Sequence, residues 1–145
     1  MSYKADSERL VLYKNDTLFH GSYCEWYDSL RSFPEKMGCY KNDMKHGFWT
    51  WWRKEGTKEA EINFYEGFAE GIAIYYYSNG NMEEKGNYSK GNKTGIWYKY
   101  HENGQVSDTG TYTDGNQTGI WYSYYGDGSC RLIRDYDNKI TIPCP

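Results

Sequence analysis

The chain has 145 residues, a formal net charge of -3 and 38% apolar residues, half of them aromatic: 17 Tyr, 6 Trp and 5 Phe. That length gives one domain, and aromatic richness excludes a disordered chain. The acidity argues against a nucleic-acid binder that works by neutralising phosphates, and no apolar run is long enough for a transmembrane helix.

In chain order, residues 1–22 read as an N-terminal cap with a degenerate unit. Arg9 to Tyr13 supplies the capping strand, and Tyr13-Lys14-Asn15-Asp16 echoes Tyr40-Lys41-Asn42-Asp43. The opening MSYKADSERL has no apolar core of the kind an export signal needs, so a cytoplasmic location with reduced thiols is expected. Repeat units then follow at 23–46, 47–70, 71–94, 95–118 and 119–142, with a tail at 143–145. The segments GFWTWWRKEG, GIAIYYYSNG, GIWYKYHENG and GIWYSYYGDG start at Gly47, Gly71, Gly95 and Gly119, each 24 residues after the last. Further columns hold Gly56, Gly80, Gly104 and Gly128; Gly38, Gly86 and Gly110; Gly67, Gly91 and Gly115; and Tyr40, Phe64, Tyr88, Tyr112 and Tyr136.

Each unit reads as a β-hairpin. The first half is dense in β-branched and aromatic residues. Asn79-Gly80, Asn103-Gly104 or Asp127-Gly128 then predicts a type I′ turn. The second half returns as a strand, and Lys90-Gly91 or Asp114-Gly115 leads into the next unit. Recurrent glycine and the lack of a 3.6-residue stripe exclude helix. One hairpin cannot stand alone, so the units must stack. The predicted fold is all-β: an elongated β-hairpin repeat solenoid, about five 24-residue units forming one twisted antiparallel sheet with terminal capping strands. At a strand spacing of about 4.8 Å, the body spans roughly 50 Å. Gly86 and Gly110, inside second strands, are expected to let an aromatic ring lie across bare backbone. The last unit loses its glycines at Arg134 and Lys139, and Lys139-Ile140-Thr141-Ile142 ahead of Pro143 reads as an edge strand. Deleting 71–94 as a whole unit is expected to leave a folded, shorter chain.

The strings Gly95-Ile96-Trp97 with Asn103-Gly104, Gly110-Thr111-Tyr112 with Asp114-Gly115, and Gly119-Ile120-Trp121 with Asp127-Gly128 resemble the MORN repeat. They are closer still to the MORN-variant repeat of bacterial YwqK-like proteins. Ala73 departs from the Trp column and Ile62 from the Gly column. The resemblance implies a β-hairpin solenoid that mainly binds other proteins. Some MORN-like proteins are linked to membrane phospholipids, and YwqK-like ones are described as antitoxin or immunity partners.

Little chemistry is visible. His20, His46 and His101 lack metal-ligand spacing and read as polar surface. No G-x-S-x-G, P-loop or H-E-x-x-H occurs, and Glu59, Glu61, Glu83 and Glu84 read as solvated strand positions. Cys24 and Cys39 lie 15 residues apart, Cys130 and Cys144 lie 14 apart, and no CxxC occurs. Buried or half-buried thiols are expected, with two terminal disulfides as the alternative. No catalytic residue, metal or cofactor is expected.

The unusual surface material is aromatic. By the two-residue period, Trp49, Trp51, Tyr75, Trp97 and Trp121 share one face, and Tyr76, Tyr100 and Tyr124 share the other. These eight are the candidate partner-binding residues, because Tyr and Trp dominate interface hot spots; self-stacking on each other and on glycine is the competing reading. The expected function is a non-catalytic protein-binding module, antitoxin-like or effector-neutralising, with a basic toxin or effector as partner. The alternatives are a nucleotide-like sponge or sensor, a membrane-surface adaptor, which net acidity disfavours, and a scaffold that self-assembles through edge strands into a homo-oligomer.

Overall fold

The computed structural model describes residues 2–6, 9–13, 21–26 and 34–145, with side chains from Pro34 onward. The copy at residues 14–16 and His20 lie outside the described residues, and so does the side chain of Cys24. Among the described residues, thirteen strands run in strict chain order through a single antiparallel sheet: β1 Ser2–Asp6, β2 Arg9–Tyr13, β3 Gly21–Trp26, β4 Pro34–Lys41, β5 Met44–Trp52, β6 Lys58–Tyr65, β7 Phe68–Tyr76, β8 Met82–Ser89, β9 Asn92–Tyr100, β10 Val106–Thr113, β11 Asn116–Tyr124, β12 Cys130–Asp135 and β13 Ile140–Pro143. The sheet is open, with β1 and β13 at its edges. The expected Arg9–Tyr13 strand is present, and β1 lies outside it. The expected C-terminal edge strand is β13, paired with β12.

The Asn-Gly and Asp-Gly turns differ from the sequence reading in type. Asn-Gly was expected to make type I′ turns, but Gly80 alone of its pair has positive φ. There the Gly80 N–H donates to the Tyr77 carbonyl (3.0 Å) and the Tyr77 N–H to the Asn81 carbonyl (2.9 Å). This is a three-residue loop closed by a left-handed glycine. The Asn79 carboxamide oxygen accepts the Asn81 N–H at 2.9 Å, which fixes the turn from inside. Two consecutive positive φ values, the mark of type I′, occur instead at Glu66-Gly67, Lys90-Gly91, Asp114-Gly115 and Asn42-Asp43. Asn and Asp tolerate the left-handed region better than Glu or Lys, so composition pointed to the wrong end of the hairpin.

Neighbouring units are stitched along both margins. Gly67, Gly91 and Gly115 donate backbone N–H bonds to the carbonyls of Lys45, Ala69 and Lys93 in the preceding unit. On the other margin, side chains reach forward: Arg53 to the Tyr76 and Tyr77 carbonyls, the Tyr77 hydroxyl to the Tyr100 carbonyl, and His101 Nε2 to the Tyr124 carbonyl. His101 is therefore a connector between units. Bonded to a carbonyl, Nε2 must carry the proton.

The core lies on one face. Trp49 and Trp97 are 0% exposed and Trp121 is 3% exposed, with Ala60 and Ala73 also buried. Each ring lies flat on a glycine of the preceding strand. A Cβ at Gly38, Gly86 or Gly110 would fall inside the indole of Trp49, Trp97 or Trp121 respectively. Register shifts mark these places, where a bulge interrupts the ladder. The indole N–H groups donate to the carbonyls freed there: Trp49 to Cys39 (3.0 Å), Trp97 to Asn87 (3.1 Å) and Trp121 to Thr111 (3.2 Å). Edge-on tyrosines close the sides: Tyr88 and Tyr112 stand 5.3 and 5.9 Å from Trp97, and Tyr112 and Tyr136 stand 5.1 and 6.1 Å from Trp121. Such pairs contribute about 0.5–1.5 kcal/mol each beyond the area they bury, which compensates for scarce aliphatic residues.

The departures at Ile62 and Ala73 are one event. These residues are register partners, at the positions the other units give to Gly and Trp. Where the glycine becomes isoleucine, the ring above it becomes alanine, so the volume of the layer is kept. Arg134 likewise occupies a Gly position with Thr141, and no tryptophan, opposite it on β13.

Cys130 and Cys144 form a disulfide that ties the end of β13 back to β12. The expected buried or half-buried thiols are not found among the described cysteines: Cys39 is exposed, and Cys130 and Cys144 are paired. The two sulfurs meet because β12 and β13 form a hairpin that brings the 14-residue separation back on itself.

Candidate functional site

The two faces have opposite characters. Opposite Trp49, Trp97 and Trp121, the outward positions are Phe48 (63% exposed), Ile96 (56%) and Ile120 (51%), flanked by exposed Phe68, Tyr98 and Tyr122. In the intervening strands their partners are polar: Asn63 opposite Phe48, Thr111 opposite Ile96, Asp135 opposite Ile120. Apolar ribs thus recur every second strand, about 9–10 Å apart at ordinary strand spacing, with polar ribs between them.

The eight predicted partner-binding residues separate accordingly. Trp49, Trp97 and Trp121 are buried core residues, each with one ring face pressed on backbone glycine, and they present no protruding side chain to a protein partner. Trp51 and Tyr75 are half-buried at the margin of that same face. Trp51 stacks 6.0 Å from both Trp49 and Phe64. The Tyr75 hydroxyl shares a 3.0 Å hydrogen bond with that of Tyr88, and burial, then this bond, pushes its pKa up. Tyr76, Tyr100 and Tyr124 are half-buried on the opposite, ribbed face. They border the exposed Phe48, Ile96 and Ile120, which the sequence reading did not single out.

Tyr76 donates to Glu61 Oε2, whose carboxylate also takes Lys58 at 2.7 Å. Hydrogen bonds from Lys58 and Tyr76 lower the Glu61 pKa. Burial, and then the bond to Glu61, moves Tyr76 from the ordinary 10 up to about 12. Burial also raises Tyr77, Tyr100 and Tyr112. A raised acid keeps its proton in the fold while the unfolded chain releases it, so stability is lost as pH rises through the unfolded value. The urea midpoint is expected to hold to about pH 10 and fall between 10 and 12, with Tyr76→Phe reducing the slope. Phenolate absorbance followed beside the denaturation would overturn this if all tyrosines ionised at ordinary values with no fall in midpoint.

On the tryptophan face, lysines cap the rings. Lys45 Nζ lies 4.7, 4.9 and 4.9 Å from the ring centres of Trp49, Trp51 and Phe64. Burial and, next, the charge of Lys36 lower its pKa. Lys93 Nζ lies 4.0 Å above Trp97 and pairs with Glu84 at 2.7 Å. Over Trp121 the sheet carries a depression of about 240 Å³ instead, walled by Lys99, Asp108, Gln117, Ser123, Arg134 and Tyr136. The sequence reading missed this polar column, although Lys45, Ala69, Lys93 and Gln117 repeat in the same 24-residue frame as the aromatics. Among the described residues no three His, Cys, Asp or Glu side chains converge as metal ligands, and no helix is long and apolar enough to cross a membrane.

No protein-family model matches the chain, and no curated protein does. Among solved structures it is similar to a point mutant of S. aureus TarM in complex with fondaparinux, α-GlcNAc-glycerol and UDP, at 11% identity and a TM-score of 0.45. A second TarM structure gives 12% identity and the same TM-score. The match covers 67% of this chain and spans 19% of either TarM chain. Neither fold nor function follows from so slight a likeness.

Proposed function

We propose that the chain is a non-catalytic protein-binding module whose docking surface is the ribbed face. The observation that carries this reading is the exposure of Phe48, Ile96 and Ile120 on a face that no second layer covers among the described residues. Exposed apolar residues gathered on one face and rimmed by polar ones mark interaction sites. The net charge of -3 favours a basic partner. The resemblance to MORN-variant repeats adds an antitoxin- or immunity-like role, in which the partner's activity is suppressed by occlusion. Membrane-adaptor and self-assembly roles have less support. The chain is acidic, and the C-terminal edge strand is short, ends in Pro143 and is tied back by a disulfide, as blunted edges are. A disulfide persists in oxidising surroundings, so Cys130–Cys144 favours an oxidising compartment over the cytoplasm that the sequence suggested.

The test is native mass spectrometry of the tagged protein from its source lysate, beside the double variant Ile96→Lys/Ile120→Lys. Both sites are exposed, so the variant should retain stability within about 1 kcal/mol, and it should lose the added protein mass. A partner retained by the variant, or a wild-type chain that carries no partner, would sink the reading.

A further inference from the structure

The repeats supply their own template for the depression over Trp121. One unit earlier, Trp97 carries the Lys93 ammonium on its ring, with Glu84 as counter-ion. Twenty-four residues on, Trp121 repeats Trp97 and Asp108 repeats Glu84, but Gln117 stands where Lys93 was. Among the described residues no cation caps Trp121, and the slot is open. Asp108 is held ready: its carboxylate accepts the hydroxyls of Ser107 (3.0 Å) and Ser123 (2.5 Å). Across β11, Arg134 projects from a position that three earlier units give to glycine (Gly38, Gly86 and Gly110), and it donates to the Tyr136 hydroxyl at 3.1 Å. Lys99 lines the same depression from β9.

We infer that this depression binds a small zwitterion, with its ammonium over Trp121 beside Asp108 and its carboxylate toward Arg134 and Lys99. An ammonium belongs over the ring because the protein places its own there in two other units, and aromatic faces attract cations. A bare cation is opposed, since two cationic side chains face one carboxylate. A ligand that brings its own anion balances the set, and the Arg134 guanidinium is the preferred partner for a carboxylate. A volume of about 240 Å³ is that of roughly eight waters in the liquid, the scale of a short amino acid. This site is on the opposite face from the proposed docking surface, and it does not depend on that reading.

The test is titration of the isotope-labelled protein at low salt with 4-aminobutyrate, butylamine and butyrate, following the indole N–H resonances. The Trp121 indole should move with 4-aminobutyrate, with at least tenfold weaker response to either single-charge analogue, while Trp49 stays still. Gln117→Lys should fill the slot with the protein's own ammonium, as Lys93 does, and abolish the response. Arg134→Gly, which restores the residue at Gly38, Gly86 and Gly110, should reduce the 4-aminobutyrate response to that of butylamine. The inference is overturned if butylamine or butyrate binds as well as 4-aminobutyrate, if Gln117→Lys folds and still responds, if Arg134→Gly leaves the zwitterion's advantage intact, or if no probe moves Trp121.

Discussion

Gly86→Ile should destabilise the protein by about 3–5 kcal/mol, as much as Trp97→Ala, and combining the two should restore more than half of that loss. The single change drives a side chain into the space of the Trp97 indole, so the ring must leave the core. The cost is then that of losing a buried tryptophan, about 3–5 kcal/mol. Trp97→Ala alone leaves a cavity over bare glycine, at a similar cost. The double variant reproduces Ile62 over Ala73, a pair the protein already uses in register between β6 and β7. Recovery is incomplete because the edge contacts with Tyr88 and Tyr112, the Lys93 cap and the indole bond to Asn87 are still lost. Urea unfolding of the four proteins in a double-mutant cycle measures the coupling. If the double variant were as unstable as the sum of the singles, glycine and tryptophan would not be one packing unit.

Much of this architecture can be read in the columns. The 24-residue frame gives strand count and order, because a meander of hairpins is the one way to stack such units in chain order. The Gly86 and Gly110 column announces a ring on bare backbone, and Pro143 announces an edge. What the columns leave open is which aromatic set is core, since both faces carry rings at the same period. Trp49 and Tyr100 look alike in composition. They differ in what lies opposite, glycine beneath the first and none beneath the second, and that depends on register across a bulge. The turn types were misread because Asn-Gly permits a type I′ turn without requiring one, while Glu66 and Lys90 adopt positive φ under the constraint of two flanking strands. The Cys130–Cys144 bond is only the alternative reading of the sequence, because the N-terminus points to a reducing compartment, whereas the hairpin geometry of β12 and β13 decides which sulfurs meet. The slot over Trp121 is hard to read in the sequence because its signal is a missing lysine: Gln117 stands where Lys93 stands one unit earlier.

Two deletions of equal length should differ by several kcal/mol because they cut the repeat in different phase. Removing 71–94, the unit as read from the sequence, joins Glu70 to Gly95 and carries Trp97 to the position of Ala73. There the ring falls on Ile62, not on glycine, and the clash is that of Gly86→Ile. Removing 62–85 joins Glu61 to Gly86 and takes out Ile62 and Ala73 together. Gly86 then lies beneath Trp97 as before, and Trp49 has a glycine opposite it on the next strand, as Trp97 has Gly110. Each deletion removes one hairpin and its interfaces, a loss common to both in a repeat protein. The difference between them isolates the ring–glycine contact, and about 3–5 kcal/mol is expected in favour of the 62–85 deletion. Urea midpoints, with near-ultraviolet circular dichroism to report packed tryptophan, provide the comparison. Equal stability would mean that the strands carry the repeat and the indoles merely decorate it. The expected inequality would place the boundary of the physical repeat at the glycine beneath each ring, nine residues before the one that the sequence strings suggest.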